Sequence, residues 1–118
     1  MLEIYNEQNT LKIKNSDWKI IQANSETKSV NIDWFEIDYP GEYEKSGILS
    51  EVFEFDEKLF YAIHTEQKLI MVIFEEVAEI KPELLDFFGD VDVLAVVWSK
   101  NMNKLVENIE TRVVIPFG

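Results

Sequence analysis

Short segments in which apolar and polar residues alternate occupy the first two-thirds of the chain. Alternation of this kind, bounded by Asn, Ser, Asp or Gly, is typical of β-strands joined by turns. The pattern predicts strands over residues 2–5, 11–14, 18–23, 30–37, 47–55, 59–64 and 68–74. The last two strands are expected to form a hairpin around residues 65–67. Pro40 and Gly41 predict a turn over residues 38–41, because Pro fixes φ and Gly accepts positive φ.

The pattern changes after Phe74. Residues 81–89 are typical of a short helix, since Pro82 suits its first turn and Gly89 its end. Residues 91–98 are almost continuously apolar, as in a parallel strand that is buried on both faces. An apolar helical face follows, formed by Met102, Leu105, Val106 and Ile109, and residues 112–116 return to strand. The sequence therefore predicts a single domain over residues 1–118, of α/β class, with a mixed β-sheet, flanking helices and a C-terminal βαβ unit.

The charge balance narrows the kinds of partner. The chain has 23 acidic and 11 basic residues, for a net charge of −12. Such a charge repels phosphate backbones and anionic lipid, so neither nucleic acid nor a membrane is expected as a partner. A solvated acidic surface is the simplest interpretation of this charge, and attraction of a basic protein partner is the other.

The chain has no cysteine and a single histidine. Disulfides, thiolate nucleophiles and cysteine-based zinc sites are therefore excluded. The first residues, MLEIYNEQNT, do not have the basic and apolar regions of a signal peptide, and no apolar run approaches the roughly 18 residues that span a bilayer. We expect a soluble, cytoplasmic protein.

Several segments match, in order, the motifs of one protein family. Residues 38–48, DYPGEYEKSGI, resemble D-x-P-G-E-Y-E-x-x-G-V. Residues 59–63, 89–94 and 109–116 resemble T-x-Y-x-I, G-x-V-D-V-L and I-x-P-K-I-V-I-P, and residues 68–77 stand at the place of G-L-R-I-x-H-L-G-D-L. The chain thus resembles the metallo-β-lactamase-fold Zn-dependent hydrolases, in the branch similar to the ascorbate-phosphate lactonases. The resemblance covers residues 38–118 and is weak before them. It implies a reduced metallo-β-lactamase-like fold, of about one half to two-thirds of the family's length.

The resemblance also implies a structural part for the segment at residues 40–47. There the matching positions shape a turn near the sheet and take no part in chemistry. They are Pro40, Gly41, Glu42, Tyr43, Glu44 and Gly47.

The departures from the family lie at its metal ligands. The family's H-x-H-x-D-H motif precedes the P-G-E-Y-E segment, but residues 21–37 contain no histidine. Ile73 and Glu76 stand at the His and Asp positions of the family's H-L-G-D segment, and Gly118 stands at a further His position. Catalytic zinc needs about three protein ligands, commonly histidines. We therefore expect no catalytic residue and no cofactor, with Glu76 as a weak candidate metal ligand.

Other residues could have a catalytic or metal-binding role, but an ordinary structural role is expected for each. His64 can act as a general base, but a strand-end histidine at the surface is the commoner case. A set of Ser99, His64 and Asp92 can be chosen, as it can in any chain of this length. An acidic cluster formed by Glu75, Glu76 and Glu79 can hold a divalent ion, but a solvated loop or first helical turn is expected more often.

Large aromatic side chains are numerous for so short a chain, and most are expected in the core. They are Trp18, Trp34, Phe35, Phe53, Phe55, Phe60, Phe74, Phe87, Phe88 and Trp98. Their excess, and a length little above one half of the family's αββα fold, suggest a face that a second copy covers in a homodimer.

The sequence favours a non-catalytic binding or structural module that acts through protein contacts, with itself or with a basic partner. The alternative is a divergent hydrolase that uses carboxylates with a weakly held metal, or with ligands from a partner chain. An acidic mimic of nucleic acid is a third hypothesis, and it is supported by the charge alone.

Overall fold

Two β-sheets lie face to face in this protein. The computed structural model describes residues 2–75, 82–100, 102–109 and 111–118. The N-terminal sheet is an antiparallel meander of β1 Glu3–Glu7, β2 Thr10–Lys14, β3 Ile20–Asn24, β4 Ser29–Ile32 and β5 Phe35–Ile37, in that order. The C-terminal sheet consists of β6 Gly41–Lys45, β7 Ile48–Phe55, β8 Lys58–Thr65, β9 Lys68–Ile73, β10 Val91–Val97 and β11 Thr111–Phe117, in the order β11-β10-β9-β8-β7-β6.

The C-terminal sheet is mixed, as predicted. Strands β6 to β9 pair antiparallel, and β9, β10 and β11 pair parallel. Helix α2, Met102–Glu107, lies between β10 and β11, which confirms the predicted βαβ unit. A second parallel crossover, from β9 to β10, contains α1, Pro82–Phe88. Because both helices are short and most described residues lie in strands, the predicted α/β class with flanking helices fits only in part.

The ends of the helices follow the local sequence. Pro82 is the first residue of α1, and Gly89, with φ of +57°, follows its last residue. Met102 and Leu105 bury the inner face of α2, while Ile109 follows the helix and is also buried. No helix in the described part of the chain is long and apolar enough to cross a membrane.

The N-terminal sheet has one apolar and one polar face. Directly paired residues share a face, so the register assigns each row of side chains to one side. One inward row crosses β2 to β5 as Leu11, Ala23, Val30 and Ile37, all of them buried. The neighbouring outward row crosses all five strands as Tyr5, Lys12, Gln22, Asn31 and Glu36. This polar outer face meets water without a helical layer.

The C-terminal sheet is apolar on both faces at its centre, as the run over residues 91–98 predicted. One face packs against the inward rows of the N-terminal sheet, through residues such as Ile63, Val72 and Ala95. The other face packs against the helices, where Met71 and Leu94 meet a cluster that includes Leu84, Phe88, Met102 and Leu105. The order of layers is therefore polar-faced sheet, mixed sheet, helices.

Tyr61 joins the two sheets at the middle of the core. Its ring is fully buried and meets Phe74 edge to face, with centroids 5.6 Å apart. Its hydroxyl donates to the Ile37 carbonyl at 3.2 Å, across from β8 to β5. Burial raises the pKa of Tyr61 above its ordinary value, so the hydroxyl remains a neutral donor.

The predicted strand over residues 30–37 is wrong, because a hairpin turn divides it. Asp33 and Trp34 both have positive φ, 49° and 70°, and join β4 to β5. Two positive φ values are those of a type I′ turn, which usually carries Asn-Gly or Gly. Asp-Trp contains neither residue, so the alternating pattern predicted one continuous strand.

The expectation that the large aromatic side chains lie in the core is wrong for the tryptophans. Phe60, Phe74 and Phe88 are buried, but Trp18, Trp34 and Trp98 are 75%, 76% and 50% exposed. Trp18 precedes β3 in a turn and has φ of 64°.

One buried hydroxyl allows a test of this packing. Ser50 lies on β7 between Tyr43 and Ile63, is fully buried, and its Oγ has no hydrogen-bond partner within the described residues. An unsatisfied buried hydroxyl costs about 1–3 kcal/mol, so Ser50→Ala should raise the free energy of unfolding in urea by about 1 kcal/mol. As the control, Thr65→Ala should lower it by about as much, because Thr65 Oγ1 accepts from Asn15 Nδ2 at 3.2 Å. A loss of stability in Ser50→Ala would contradict this account.

Candidate functional site

The carboxyl ends of β9, β10 and β11 lie side by side and form the candidate site. Open sheets with parallel strands usually place ligands just beyond these ends. The turn from β3 to β4, residues 25–28, faces them from the N-terminal sheet. Lys28 reaches Glu75 beyond β9, and Ser25 lies close to Gly118 beyond β11.

Hydrogen bonds hold the β3–β4 turn in one shape. Asn24 Oδ1 accepts from the backbone N–H groups of Glu26 and Thr27, at 2.9 and 3.3 Å. The Ser25 backbone N–H and hydroxyl both donate to the Asn9 carbonyl, at 2.8 and 3.1 Å. An Asn side chain that bonds the backbone two residues on is a common way of fixing a turn. The turn thus presents Lys28 to the other sheet in a defined position.

An ion pair joins the two sheets at this end. Lys28 Nζ lies 2.8 Å from Glu75 Oε1, and both side chains are partly exposed. Exposed pairs of this kind contribute about 0–1 kcal/mol to stability. Its chemical effect is larger than its energetic one, because it places an ammonium group beside the carboxylate at the end of β9.

Two of the matching metal-ligand positions, residues 73 and 118, do not fit a metal. Ile73 stands at one histidine position of the resembled family, and its side chain is fully buried in the cluster beneath the helices. Gly118 stands at another, with φ of +95°, and a Cβ there would lie 3.0 Å from the Ser25 side chain. Lys28 adds a positive charge beside Glu75, the nearest described carboxylate beyond β9. The residues at these positions therefore supply neither imidazole nor room for it.

The structure describes one of the three glutamates of the predicted acidic cluster. Glu75 is the ion-pair partner of Lys28, whereas Glu76 and Glu79 lie outside the described residues. Within the described ranges, no group of three or more His, Asp or Glu side chains is placed to hold a metal ion.

His64 lies at the opposite end of the sheet, where the parallel strands begin. It pairs with Leu69 at the start of β9, and its Nε2 is 3.2 Å from Glu51 Oε1. Asp92 lies nearby, because its Oδ2 accepts from the Leu69 N–H at 2.9 Å. Ser99 follows β10 at the far end, about 20 Å away at about 3.3 Å per residue. The set of Ser99, His64 and Asp92 is therefore not assembled.

Two of the open depressions lie entirely among the described residues. One, of about 610 Å³, lies at the amino ends of β10 and β11 and is lined by Asp90, Val91, Asp92, Thr111 and Arg112. Arg112 Nε lies 3.7 Å from Asp92 Oδ1 within it. The other, of about 500 Å³, lies between the β1–β2 and β3–β4 turns and is lined by Glu7, Gln8, Asn9, Thr10, Asn24 and Glu26. Neither depression adjoins the Lys28–Glu75 pair closely enough to share a lining residue with it.

The segment at residues 40–47 is mainly a strand, so the predicted turn is corrected. The bend is confined to Tyr39 and Pro40, and residues 41–45 form β6, the edge strand. Tyr43 closes the bend by donating its hydroxyl to the Tyr39 carbonyl at 2.9 Å. Gly41 has φ of +144° and runs beside the Tyr43 ring, where a Cβ would lie 3.4 Å from the hydroxyl oxygen.

The remaining positions of that segment have simpler surroundings. Glu42 and Glu44 are exposed along β6, where charge discourages pairing with another strand. Gly47, with φ of +78°, shares the turn to β7 with Ser46.

Comparison with known proteins finds a solved structure with a similar fold. The sequence matches no family model and no curated protein. The structure is similar to that of a Thermotoga maritima protein assigned to the Zn-dependent hydrolases of the metallo-β-lactamase superfamily, with a TM-score of 0.67 and 12% sequence identity. The similarity covers 99% of this chain and 75% of the other. The predicted resemblance is thus confirmed for the fold, and it extends over residues 1–37, where the sequence resemblance was weak.

Sequence reasoning missed Lys28, the residue that defines this end of the sheet. It lies in the polar segment TKS, which predicts only a turn. Its partner Glu75 was noted as part of an acidic cluster, but pairing across two sheets leaves no local signal.

Restoring a histidine at position 73 tests whether this site can hold a metal. Ile73→His buries a polar ring in an apolar cluster, so the free energy of unfolding should fall by about 2–4 kcal/mol. Excess zinc should not recover it in urea denaturation, because the described residues place no group of His, Asp or Glu side chains there to complete a zinc site. Ile73→Val, as the control, should cost about 1 kcal/mol with or without zinc. A zinc-dependent rise in the urea midpoint of Ile73→His, without one in Ile73→Val, would contradict the conclusion that position 73 does not fit a metal.

Proposed function

We propose that this protein is a non-catalytic binding module, built on a reduced metallo-β-lactamase-like fold of the ascorbate-phosphate-lactonase-like kind, that acts through protein contacts in the cytoplasm. The observation that carries the proposal is the Lys28–Glu75 ion pair at the carboxyl ends of the parallel strands. In this fold, chemistry would need cation ligands at that place. The chain instead carries a fixed cation of its own.

Ligand chemistry supports the proposal. A catalytic zinc site needs about three protein ligands and an open position for water. The chain has one histidine and no cysteine, and that histidine lies beside the start of β9, about 20 Å from Glu75 by strand rise. No arrangement of the described side chains brings His64 to the carboxyl ends.

Charge supports it as well. The Lys28 ammonium neutralises Glu75, which would otherwise attract a divalent ion. Two unit charges about 4 Å apart near a protein surface repel by about 4 kcal/mol, so a divalent ion beside Lys28 would be strongly disfavoured. The net charge of −12 also favours a protein over nucleic acid or an anionic membrane as the partner.

The alternative function is a divergent hydrolase that uses carboxylates with a weakly held metal, or with ligands from a partner chain. The position of Glu75 at the carboxyl end of β9, with Glu76 next in sequence, is what favours it. Carboxylates bind hard cations such as Mg²⁺ and Ca²⁺ in other proteins.

Metal analysis separates the two functions. Protein purified without a histidine tag should contain far less than one equivalent of zinc, manganese or iron per chain by elemental analysis. Glu76→Gln should leave metal content and stability unchanged, because the proposal gives that carboxylate no ligand to hold. About one equivalent of metal that Glu76→Gln removes would establish the hydrolase alternative instead.

Self-association is a second form of the same proposal, and the edge strand β11 favours it. Val113 and Val114 are 47% and 37% exposed, on opposite faces of that edge. Exposed apolar edge strands tend to pair with another strand. Pairing would be limited to residues 111–115, because Pro116 has no N–H and its carbonyl accepts from Asn6 Nδ2 at 2.9 Å.

Light scattering tests this form. Because two acidic copies repel, the mass should rise from 13.9 kDa toward twice that value only at high protein concentration and high salt. Val114→Lys should abolish the rise, whereas Asn103→Lys, an equal charge change on the exposed side of α2, should not. A monomer under all conditions, or equal loss in both variants, would rule out pairing through β11.

A further inference from the structure

Two tryptophans stand exposed at one end of the sandwich, at the tips of neighbouring hairpins. Trp18 lies in the β2–β3 turn and Trp34 in the β4–β5 turn, and Phe35 follows, 48% exposed. We call these three residues the tryptophan end. It lies opposite the candidate site. Phe35 pairs with Ile32 and belongs to the inward row of the N-terminal sheet, whereas Trp18 lies against Lys14 on the outward side, so the exposed rings do not share one face.

Specific contacts hold the two tips together. The residue after Trp18, Lys19, has its Nζ 3.9 Å from Oδ2 of Asp33, the residue before Trp34. The Asp33 N–H donates to the Ile20 carbonyl at 2.9 Å. The Ser46 hydroxyl also bonds the Asp33 carboxylate, which ties in the β6–β7 turn. The indoles therefore project from one connected group of turns.

The backbone at both tryptophans is strained. Trp18 and Trp34 have φ of 64° and 70°, values at which glycine or asparagine is favoured. A bulky L-residue in this region costs about 1–2 kcal/mol. Eight other non-glycine residues in the described chain also have positive φ, so what distinguishes these two positions is that they combine it with a large, exposed apolar side chain.

Trp18 already takes a cation on its ring. Lys14 Nζ lies 4.1 Å from the ring centroid, the geometry of a cation–π contact. Lys14 Nζ lies 3.0 Å from Glu3 Oε2. The hydrogen bond to Glu3 raises the pKa of Lys14 above its ordinary value, so the ammonium stays charged. Lys14 thereby fixes the orientation of the indole and leaves its outer part exposed.

Carboxylates outnumber ammonium groups around the tips. Exposed acidic residues of these turns and the adjoining strand ends are Asp17, Glu36, Glu44 and Glu66, and exposed basic residues there are Lys45 and Lys68. Hydrogen bonds from Ser16, from its side chain and its backbone N–H, hold the pKa of Glu66 below its ordinary value. Exposed indoles within an acidic surface of a chain with net charge −12 match a partner that is both basic and able to stack.

We propose that the tryptophan end binds an arginine-containing basic segment of a protein partner, with Trp18 and Trp34 stacking on guanidinium groups and the surrounding carboxylates attracting the segment. Arginine fits better than lysine, because its planar guanidinium stacks on aromatic faces and is less strongly hydrated. This inference rests on the proposed binding function and names the surface and the chemistry of the partner.

Titration of a short labelled peptide of alternating arginine and glycine, followed by fluorescence anisotropy, tests the inference. Trp18→Gly/Trp34→Gly should bind at least about fivefold more weakly than the wild type, since cation–π contacts contribute about 0.5–2 kcal/mol each. The double variant keeps the net charge, so the loss reports on the rings and not on the overall field. A matched lysine–glycine peptide should bind the wild type more weakly than the arginine peptide does.

The controls separate binding from folding. Each Trp→Gly substitution relieves positive-φ strain, so the melting temperature should stay the same or rise. Trp98→Ala removes another exposed tryptophan, at the far end of β10, and should leave peptide affinity unchanged.

Several outcomes would overturn the inference. They are equal affinity of wild type and double variant, an equal loss in Trp98→Ala, or tighter binding of single-stranded nucleic acid or anionic vesicles than of the arginine peptide. These outcomes do not bear on metal binding, so a failed peptide test would leave the non-catalytic proposal standing. Stoichiometric metal would refute that proposal whether or not the peptide binds.

Discussion

The central strands of the C-terminal sheet are apolar on both faces, and the rest of the structure depends on covering both. Strands β8, β9 and β10 bury most of their residues, and each has a run of four buried in succession. Each large side chain removed from water contributes about 1.5–3 kcal/mol, so leaving either face exposed would not allow a stable fold. The N-terminal meander covers one face and the two short helices cover the other.

This constraint ends at the N-terminal sheet, because its outer face is polar. The row of Tyr5, Lys12, Gln22, Asn31 and Glu36 needs no further layer. Pairs such as Lys14 with Glu3 and Lys12 with Glu7 cross it between neighbouring strands. Apart from Tyr5 on that face, most of the exposed large apolar side chains lie in turns, at strand ends and on the edge strand β11.

The two ends of the sandwich differ in character. At the carboxyl ends of the parallel strands, Lys28 neutralises Glu75 and Ser25 occupies the space beside Gly118. At the other end, the turns hold tryptophans in a backbone conformation that disfavours them, and both indoles stay largely exposed.

Local pattern alone was enough for much of the fold. The continuous apolar run before Trp98 predicted a strand buried on both faces, and the spacing of Met102 and Leu105 predicted the helix of the βαβ unit. These features depend on the period of side chains along one element, which a sequence contains directly. The segments after residue 38 also predicted the fold resemblance, because motif order survives where overall identity falls to 12%.

By itself, then, the sequence determined most of the strands, the βαβ unit and the presence of a single histidine, since each is a matter of period or of residue type. Only the tertiary structure decided that Asp33-Trp34 is a turn, that Trp18 and Trp34 are exposed in turns at the same end of the N-terminal sheet, and that Lys28 meets Glu75. The physical reason is that backbone φ at a turn without glycine, and contacts between residues 47 positions apart, arise from the packing of two sheets and leave no mark in the residues nearby.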